Sequence, residues 1–100
     1  MRESDLQTFA NGVLRKLGIL FIHWEAGAGS RGRQHRRGIP DLLIFHNGKT
    51  YGVEVKTAKG IVKPWQAEWM ANLEKNGVAC AVVRSEQEFL DFLKKHGVMQ

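Results

Sequence analysis

Apolar side chains recur at helical spacing between residues 3 and 17. They are Leu6, Phe9, Ala10, Val13, Leu14 and Leu17. Because side chains three and four positions apart lie on the same side of a helix, this segment is predicted to be an amphipathic helix. Gly18 follows the last apolar position, where such a helix is expected to end.

Three apolar segments follow, and each is predicted to be a strand. Residues 19–26 are rich in branched and aromatic side chains, and residues 41–45 are continuously apolar after Asp41, as in a central strand covered on both faces. Asn47 and Gly48 then form a strong signal for a hairpin turn. Residues 50–56 alternate in polarity, as expected of the second hairpin strand. One face carries Tyr51, Val53 and Val55, and the other carries Gly52, Glu54 and Lys56.

The second half of the chain is predicted to add a helix, a strand and a helix. Pro64 begins a helix over residues 65–75, and residues 78–83 read as another buried strand. Ser85 is predicted to cap the last helix, with Glu88 in the capping-box position. The expected order is α-β-β-β-α-β-α. It indicates an α/β fold with a mixed four-stranded sheet flanked by helices, since the last strand arrives through a helical crossover and can pair parallel.

The length of 100 residues predicts a single domain over residues 1–100. The N-terminal segment is charged and lacks the apolar core of a signal peptide, and no run reaches the roughly 20 apolar residues of a membrane span. The only cysteine is Cys80, inside an apolar run, so no internal disulfide is possible. A cytoplasmic protein is therefore expected.

Positive charge is concentrated between Gly27 and Gly38, in a stretch without any acidic residue. Its basic residues are Arg31, Arg33, His35, Arg36 and Arg37. Such a cluster in a chain of formal net charge +5 can bind DNA phosphates through counterion release. A solvated loop without a partner has the same composition, so this stretch alone does not decide between the two.

Three charged residues of the predicted hairpin are candidates for catalysis. Asp41 opens an apolar strand, where a carboxylate is costly unless it is paired or binds a cation. Counting back from the turn pairs His46 with Lys49 and places Asp41 close to Glu54. Two carboxylates so close favour Mg²⁺ or Mn²⁺ between them, and Lys56 is placed to orient a water or stabilise developing charge. The alternative is an ordinary strand with one wet face.

Pro40-Asp41, followed after twelve residues by Glu54-Val55-Lys56, resembles the PD-(D/E)xK nuclease signature. The segments "MRESDLQ", "RRGIPDLLIF", "YGVEVK" and "KPWQAEWMANLEKNGVACAVVRSEQEFLDFL", in this order, extend the resemblance over essentially the whole chain. Together they are similar to a stand-alone VRR-NUC domain, the small form known from phages and bacteria. This resemblance implies the restriction-endonuclease-like fold.

The resemblance also implies further site residues. Glu3 on the first helix corresponds to an acidic residue that completes the metal site, directly or through a water, beside Asp41 and Glu54. Gln66 corresponds to a glutamine on the helix after the Glu-x-Lys strand, and the backbone carbonyl of Val55 to a metal ligand. Taken alone, Glu3 would read as a first-turn acid of a helix and Gln66 as a solvated helix residue.

The function implied by the resemblance is metal-dependent hydrolysis of DNA phosphodiesters. Related stand-alone domains imply a homodimer similar to Holliday junction resolvases, which makes paired nicks in four-way junctions and leaves 5′-phosphate and 3′-hydroxyl ends. Two alternatives remain at this point: a flap or nicking nuclease without junction preference, and a DNA-binding module without catalysis. A pure binder gains nothing from acidic residues that face a polyanion.

Other catalytic and metal sites find little support in the sequence. Four histidines without zinc-ligand spacing and one cysteine do not indicate a zinc site. No serine lies in a nucleophile elbow. The glycine-rich stretch before the arginines lacks the strand-GxxxxGK-helix arrangement of a phosphate-binding loop.

Overall fold

The structure is a computed structural model that describes residues 1–24 and 38–100. Its helices and strands follow the predicted order α-β-β-β-α-β-α. They are α1 (Glu3–Lys16), β1 (Leu20–His23), β2 (Leu42–His46), β3 (Lys49–Val55), α2 (Pro64–Lys75), β4 (Ala79–Val83) and α3 (Glu86–Lys95). In the described part of the chain, no helix is both long enough and apolar enough to cross a membrane.

The four strands form one mixed sheet in the order β1-β2-β3-β4. β2 pairs antiparallel with both β1 and β3, whereas β3 and β4 are parallel because α2 carries the chain back across the sheet. The hairpin between β2 and β3 has the predicted register, with His46 opposite Lys49. Asn47 and Gly48 both adopt positive φ, 51° and 77°, as the tight turn between twisted strands requires.

The hydrophobic core lies on the face of the sheet that packs against α1 and α3. Completely buried side chains come from α1, from the two central strands and from α3. They include Leu6, Ala10, Leu14, Leu42, Ile44, Val53, Val55, Phe89 and Leu93. The predicted apolar face of α1 is thus confirmed except at Leu17, which is 43% exposed because the helix has already ended at Lys16.

Helix α2 lies over the opposite face of β3 and β4 and has no fully buried residue. Ser85 caps α3 as predicted, since its Oγ accepts a hydrogen bond from the Glu88 amide at 3.1 Å. The Glu88 carboxylate, however, accepts from the Arg84 amide at 2.8 Å, one residue before the position expected for a capping box. This bond ties the end of β4 to the first turn of α3.

Gly38 holds the segment before β2 directly against α2. Its φ is +97°, and a Cβ there would lie 2.6 Å from the Trp65 carbonyl oxygen and 2.9 Å from Trp69 Cδ1. A Gly38→Ala variant should therefore lose about 2 kcal/mol or more of folding stability, from backbone strain and the clash together. Gly12→Ala is the matched control, because no atom would lie within 4 Å of the new Cβ on α1. Urea unfolding of both variants measures the difference, and equal stability of the two would contradict it.

Candidate active site

Asp41 lies just before β2 and is fixed from two sides. Its Oδ2 accepts a hydrogen bond from the Val55 amide at 2.8 Å, and its carbonyl oxygen accepts from the Trp24 amide at 2.7 Å. Leu42 is paired with Val53, so Asp41 falls one position further along the ladder, opposite Glu54. The expected approach of these two carboxylates is thus found in the structure.

Glu54 lies on the second face of β3, Lys56 follows directly after the end of this strand, and both are buried. Glu54 is 2% exposed and Lys56 is 9% exposed, so the alternative of a strand with a wet face is wrong. The Lys56 Nζ lies 3.6 Å from Glu54 Oε2. A buried ammonium held this close to a carboxylate is much less screened by water than a surface ion pair.

Gln66 on the first turn of α2 connects this helix to the carboxylates. Its Nε2 donates to Glu54 Oε2 at 2.9 Å, and its Oε1 accepts from the Lys63 amide at 2.9 Å. One amide side chain therefore caps α2 and fixes the Glu54 carboxylate. The reading of Gln66 as a solvated helix residue is wrong, and the structure brings it together with Asp41, Glu54 and Lys56.

Burial shifts the titration of both central carboxyls. Burial is the main reason that the pKa of Glu54 is raised to about 8; the charge of Asp41 acts in the same direction, and Lys56 opposes it. Burial also raises the pKa of Asp41, against the opposing effect of the Val55 amide. Two acids that share one buried site cannot both ionise easily, so without a cation this pair holds a proton near neutral pH.

The donor set at this position fits a divalent cation. Glu54 Oε1 is buried and has no hydrogen-bond partner, and Asp41, opposite Glu54 in the ladder, supplies further carboxylate oxygen. The role of the Val55 carbonyl as a ligand stays a prediction. Oxygen donors of this kind suit Mg²⁺ and Mn²⁺, and a bound cation would offset the cost of burying ionised carboxylates here. Residues 1–24 and 38–100 contain no cluster of three acidic, histidine or cysteine side chains that could hold a metal.

Glu3 lies at the margin of the site. It is an exposed residue of the first turn of α1, yet its charge raises the pKa of both Asp41 and Glu54, which places it within electrostatic reach of them. Its role as a ligand stays a prediction. The predicted DNA-binding residues Arg31, Arg33, His35, Arg36 and Arg37 lie outside the described residues.

Two features near the site were not predicted from the sequence. The Arg84 guanidinium donates to backbone carbonyls of the chain that leaves Lys56. Along α1, Gln7 donates to Asn11 at 2.9 Å, and the Asn11 amide nitrogen lies 3.1 Å from His23 Nδ1, which joins α1 to the end of β1. A strand-end arginine and helical amides are common surface residues, so neither carried a signal.

Comparison with known proteins points to one family. The sequence profile of the VRR-NUC domain matches residues 23–87. A solved structure named VRR_NUC domain superposes with a TM-score of 0.72 at 28% identity, covering 94% of this chain and 95% of the other. Another, named VRR_NUC domain protein, has a TM-score of 0.72 at 20% identity, covers 95% of this chain and 87% of the other, and supports the fold alone. No curated protein matches the sequence.

Proposed function

The chain belongs to the VRR-NUC family of nuclease domains, and on this basis we propose that it is a divalent-metal-dependent DNA endonuclease. The observation that carries the proposal is the pair of buried residues Glu54 and Lys56 beside the partly buried Asp41, with one carboxylate oxygen of Glu54 left without a partner. A binding module without catalysis would gain no stability from two carboxyls that repel each other in a buried site.

Each residue of the site has its own role in phosphodiester hydrolysis in this proposal. Mg²⁺ or Mn²⁺, when bound, polarises the phosphate and lowers the pKa of a water. Asp41 and Glu54 bind the cation, Gln66 fixes the orientation of Glu54, and Lys56 stabilises the negative charge that develops on the phosphate. Water adds to phosphorus, the bond to the 3′ oxygen breaks, and that oxygen leaves with a proton. The products are 5′-phosphate and 3′-hydroxyl ends.

We further propose that the substrate is branched DNA and that the active form is a homodimer. A chain of 100 residues has a small footprint, whereas two copies double the basic surface and hold two active sites at a fixed spacing. Paired nicks across a four-way junction require such a spacing. The arginine-rich stretch directly before the Asp41 segment supplies phosphate contacts next to the reacting group in this proposal.

A cleavage assay on defined substrates tests this proposal. The protein is incubated with Mg²⁺, Mn²⁺ or EDTA on an immobile four-way junction, a flap, a plain duplex and a single strand. We expect symmetric paired nicks at the junction that require the metal, together with a dimer in sedimentation. Cleavage of flaps or plain duplex would contradict the proposed junction preference but would still support nuclease activity. Tight DNA binding without cleavage in the presence of either metal would show that the protein is a binding module without catalysis.

A further inference from the structure

The loop that joins β3 to α2, residues 57–63, exposes an apolar side chain between two lysines beside the catalytic residues. Its sequence is "TAKGIVK", which contains no acidic residue. Ile61 is 71% exposed, and Lys59 and Lys63 on either side of it are exposed as well. A large apolar side chain left in water contributes little to folding, so packing does not explain this residue.

Arg84, the residue directly after β4, fixes the shape of this loop. One guanidinium nitrogen, Nη1, donates to the Thr57 carbonyl at 2.8 Å and to the Gly60 carbonyl at 2.7 Å. The Gly60 amide closes the turn by donating to Thr57 O at 3.1 Å. Hydrogen bonds from a charged donor are the stronger ones in proteins. The loop is therefore presented in a defined conformation.

The same loop is connected to the active site at both of its ends. Gly60 packs so closely beside Lys56 that a Cβ on Gly60 would lie 3.4 Å from the Lys56 Cβ. At the other end of the loop, the Lys63 amide donates to Gln66, and Gln66 donates to Glu54. The loop therefore adjoins Lys56 at one end and, through Gln66, Glu54 at the other.

We propose that this loop is the DNA-distorting element of the enzyme. Lys59 and Lys63 contact the phosphates that flank the scissile one, and Ile61 inserts against an unstacked base at the branch point. Apolar wedges inserted between base steps are an established way for proteins to kink DNA. The flanking lysines favour DNA over a protein partner, because both offer the positive charge that a phosphate backbone attracts. This inference rests on the proposed nuclease function and names a determinant of its substrate choice.

Insertion of this kind would create a preference for branches. A base at a branch point or mismatch is already partly unstacked, so Ile61 displaces it more easily than a base within a continuous duplex. The lysine contacts do not distinguish these substrates, since every nucleotide carries a phosphate. Selectivity therefore depends on Ile61, and general affinity depends on Lys59 and Lys63.

Fluorescence of 2-aminopurine placed at the branch of a four-way junction tests the insertion without any cleavage. In EDTA, binding of the wild-type protein should increase the fluorescence, because the base loses its stacking partners. Ile61→Ser should bind with less than half of this increase, and Ile61→Leu should restore it. Leu20→Ser is the matched control, since Leu20 is also 71% exposed but lies on β1 opposite Phe45, far from Asp41. An equal increase for Ile61→Ser and the wild type would overturn the proposal.

Cleavage then separates this inference from the proposed function. Ile61→Ser should cut an intact junction about tenfold more slowly than the wild type, and a two-nucleotide mismatch at the scissile position should restore the rate. Equal rates for both proteins on every substrate would refute the loop's role and leave the nuclease standing. A wild type that cuts no DNA would instead refute the nuclease. Loss of a dimer in sedimentation with unchanged fluorescence would assign Ile61 to a protein interface and overturn the DNA contact.

The phosphate contacts of Lys59 and Lys63 can be tested separately from Ile61. A double variant, Lys59→Gln with Lys63→Gln, should bind all DNA structures more weakly and to a similar degree. The plot of log affinity against log salt concentration should become shallower by about 0.9 for each phosphate contact that is lost. Lys49→Gln, on the exposed first residue of β3, is the control and should keep the wild-type slope. An unchanged slope in the double variant would exclude these phosphate contacts.

Discussion

Replacing Lys56 by Met should reduce the rate of DNA cleavage by about a thousandfold while leaving DNA affinity close to that of the wild type. A positioned charged group that stabilises the transition state commonly contributes about a hundredfold to ten-thousandfold in rate. Lys56 is 9% exposed and lies beside Glu54 rather than on an open surface, so it adds little to general attraction of DNA. Methionine keeps most of the volume of lysine and avoids a cavity.

The measurement is single-turnover cleavage together with binding in EDTA. Lys49→Met is the control, because it removes the same charge from the exposed beginning of β3. This control should retain the wild-type rate. Normal cleavage by Lys56→Met would show that Lys56 is structural, and the assignment of the catalytic group would have to be abandoned.

The metal-free protein should become less stable as the pH rises from about 5 to about 9, and Glu54→Gln should remove most of this loss. The folded state raises the pKa of Glu54 from its ordinary value of 4.5 to about 8. Between these values the unfolded chain has released this proton and the folded chain retains it, so unfolding becomes easier as the pH increases. Glutamine cannot ionise, and at high pH the variant should be the more stable protein.

Thermal unfolding in EDTA across this pH range measures the effect, and Glu68→Gln on the exposed part of α2 is the control. The control should follow the wild type at every pH. Mn²⁺ added at pH 8 should restore stability to the wild type by binding only the folded state, and it should have little effect on Glu54→Gln. A wild-type melting temperature that rises with pH in EDTA would mean that Glu54 ionises freely in the folded protein.

The predicted order of elements and the register of the hairpin agree with the structure because both depend on neighbours in the chain. An Asn-Gly turn with positive φ at both residues fixes which strand positions face each other, and alternation along β3 fixes which side chains share a face. From these local features alone, Asp41 could be placed opposite Glu54, with Lys56 on the same side.

The burial and contacts of Glu54 and Lys56 could not be predicted, because they depend on how later segments of the chain pack. Glu54 and Lys56 are buried, and Gln66 from the first turn of α2 contacts Glu54. The Gln66 bond to Glu54 spans twelve positions, and the Arg84 bond to Thr57 spans twenty-seven. No local propensity encodes such pairings.

The sequence by itself determined the order of the elements along the chain, the register of the hairpin and the relative positions of Asp41, Glu54 and Lys56, because turn geometry and side-chain alternation act over a few residues. Only the tertiary structure decided that Glu54 is buried with one oxygen unpartnered and that Arg84 is bonded to the carbonyls of the loop that exposes Ile61. Burial and long-range hydrogen bonds arise only when distant segments pack together, and they set the pKa values and contacts on which the chemistry depends.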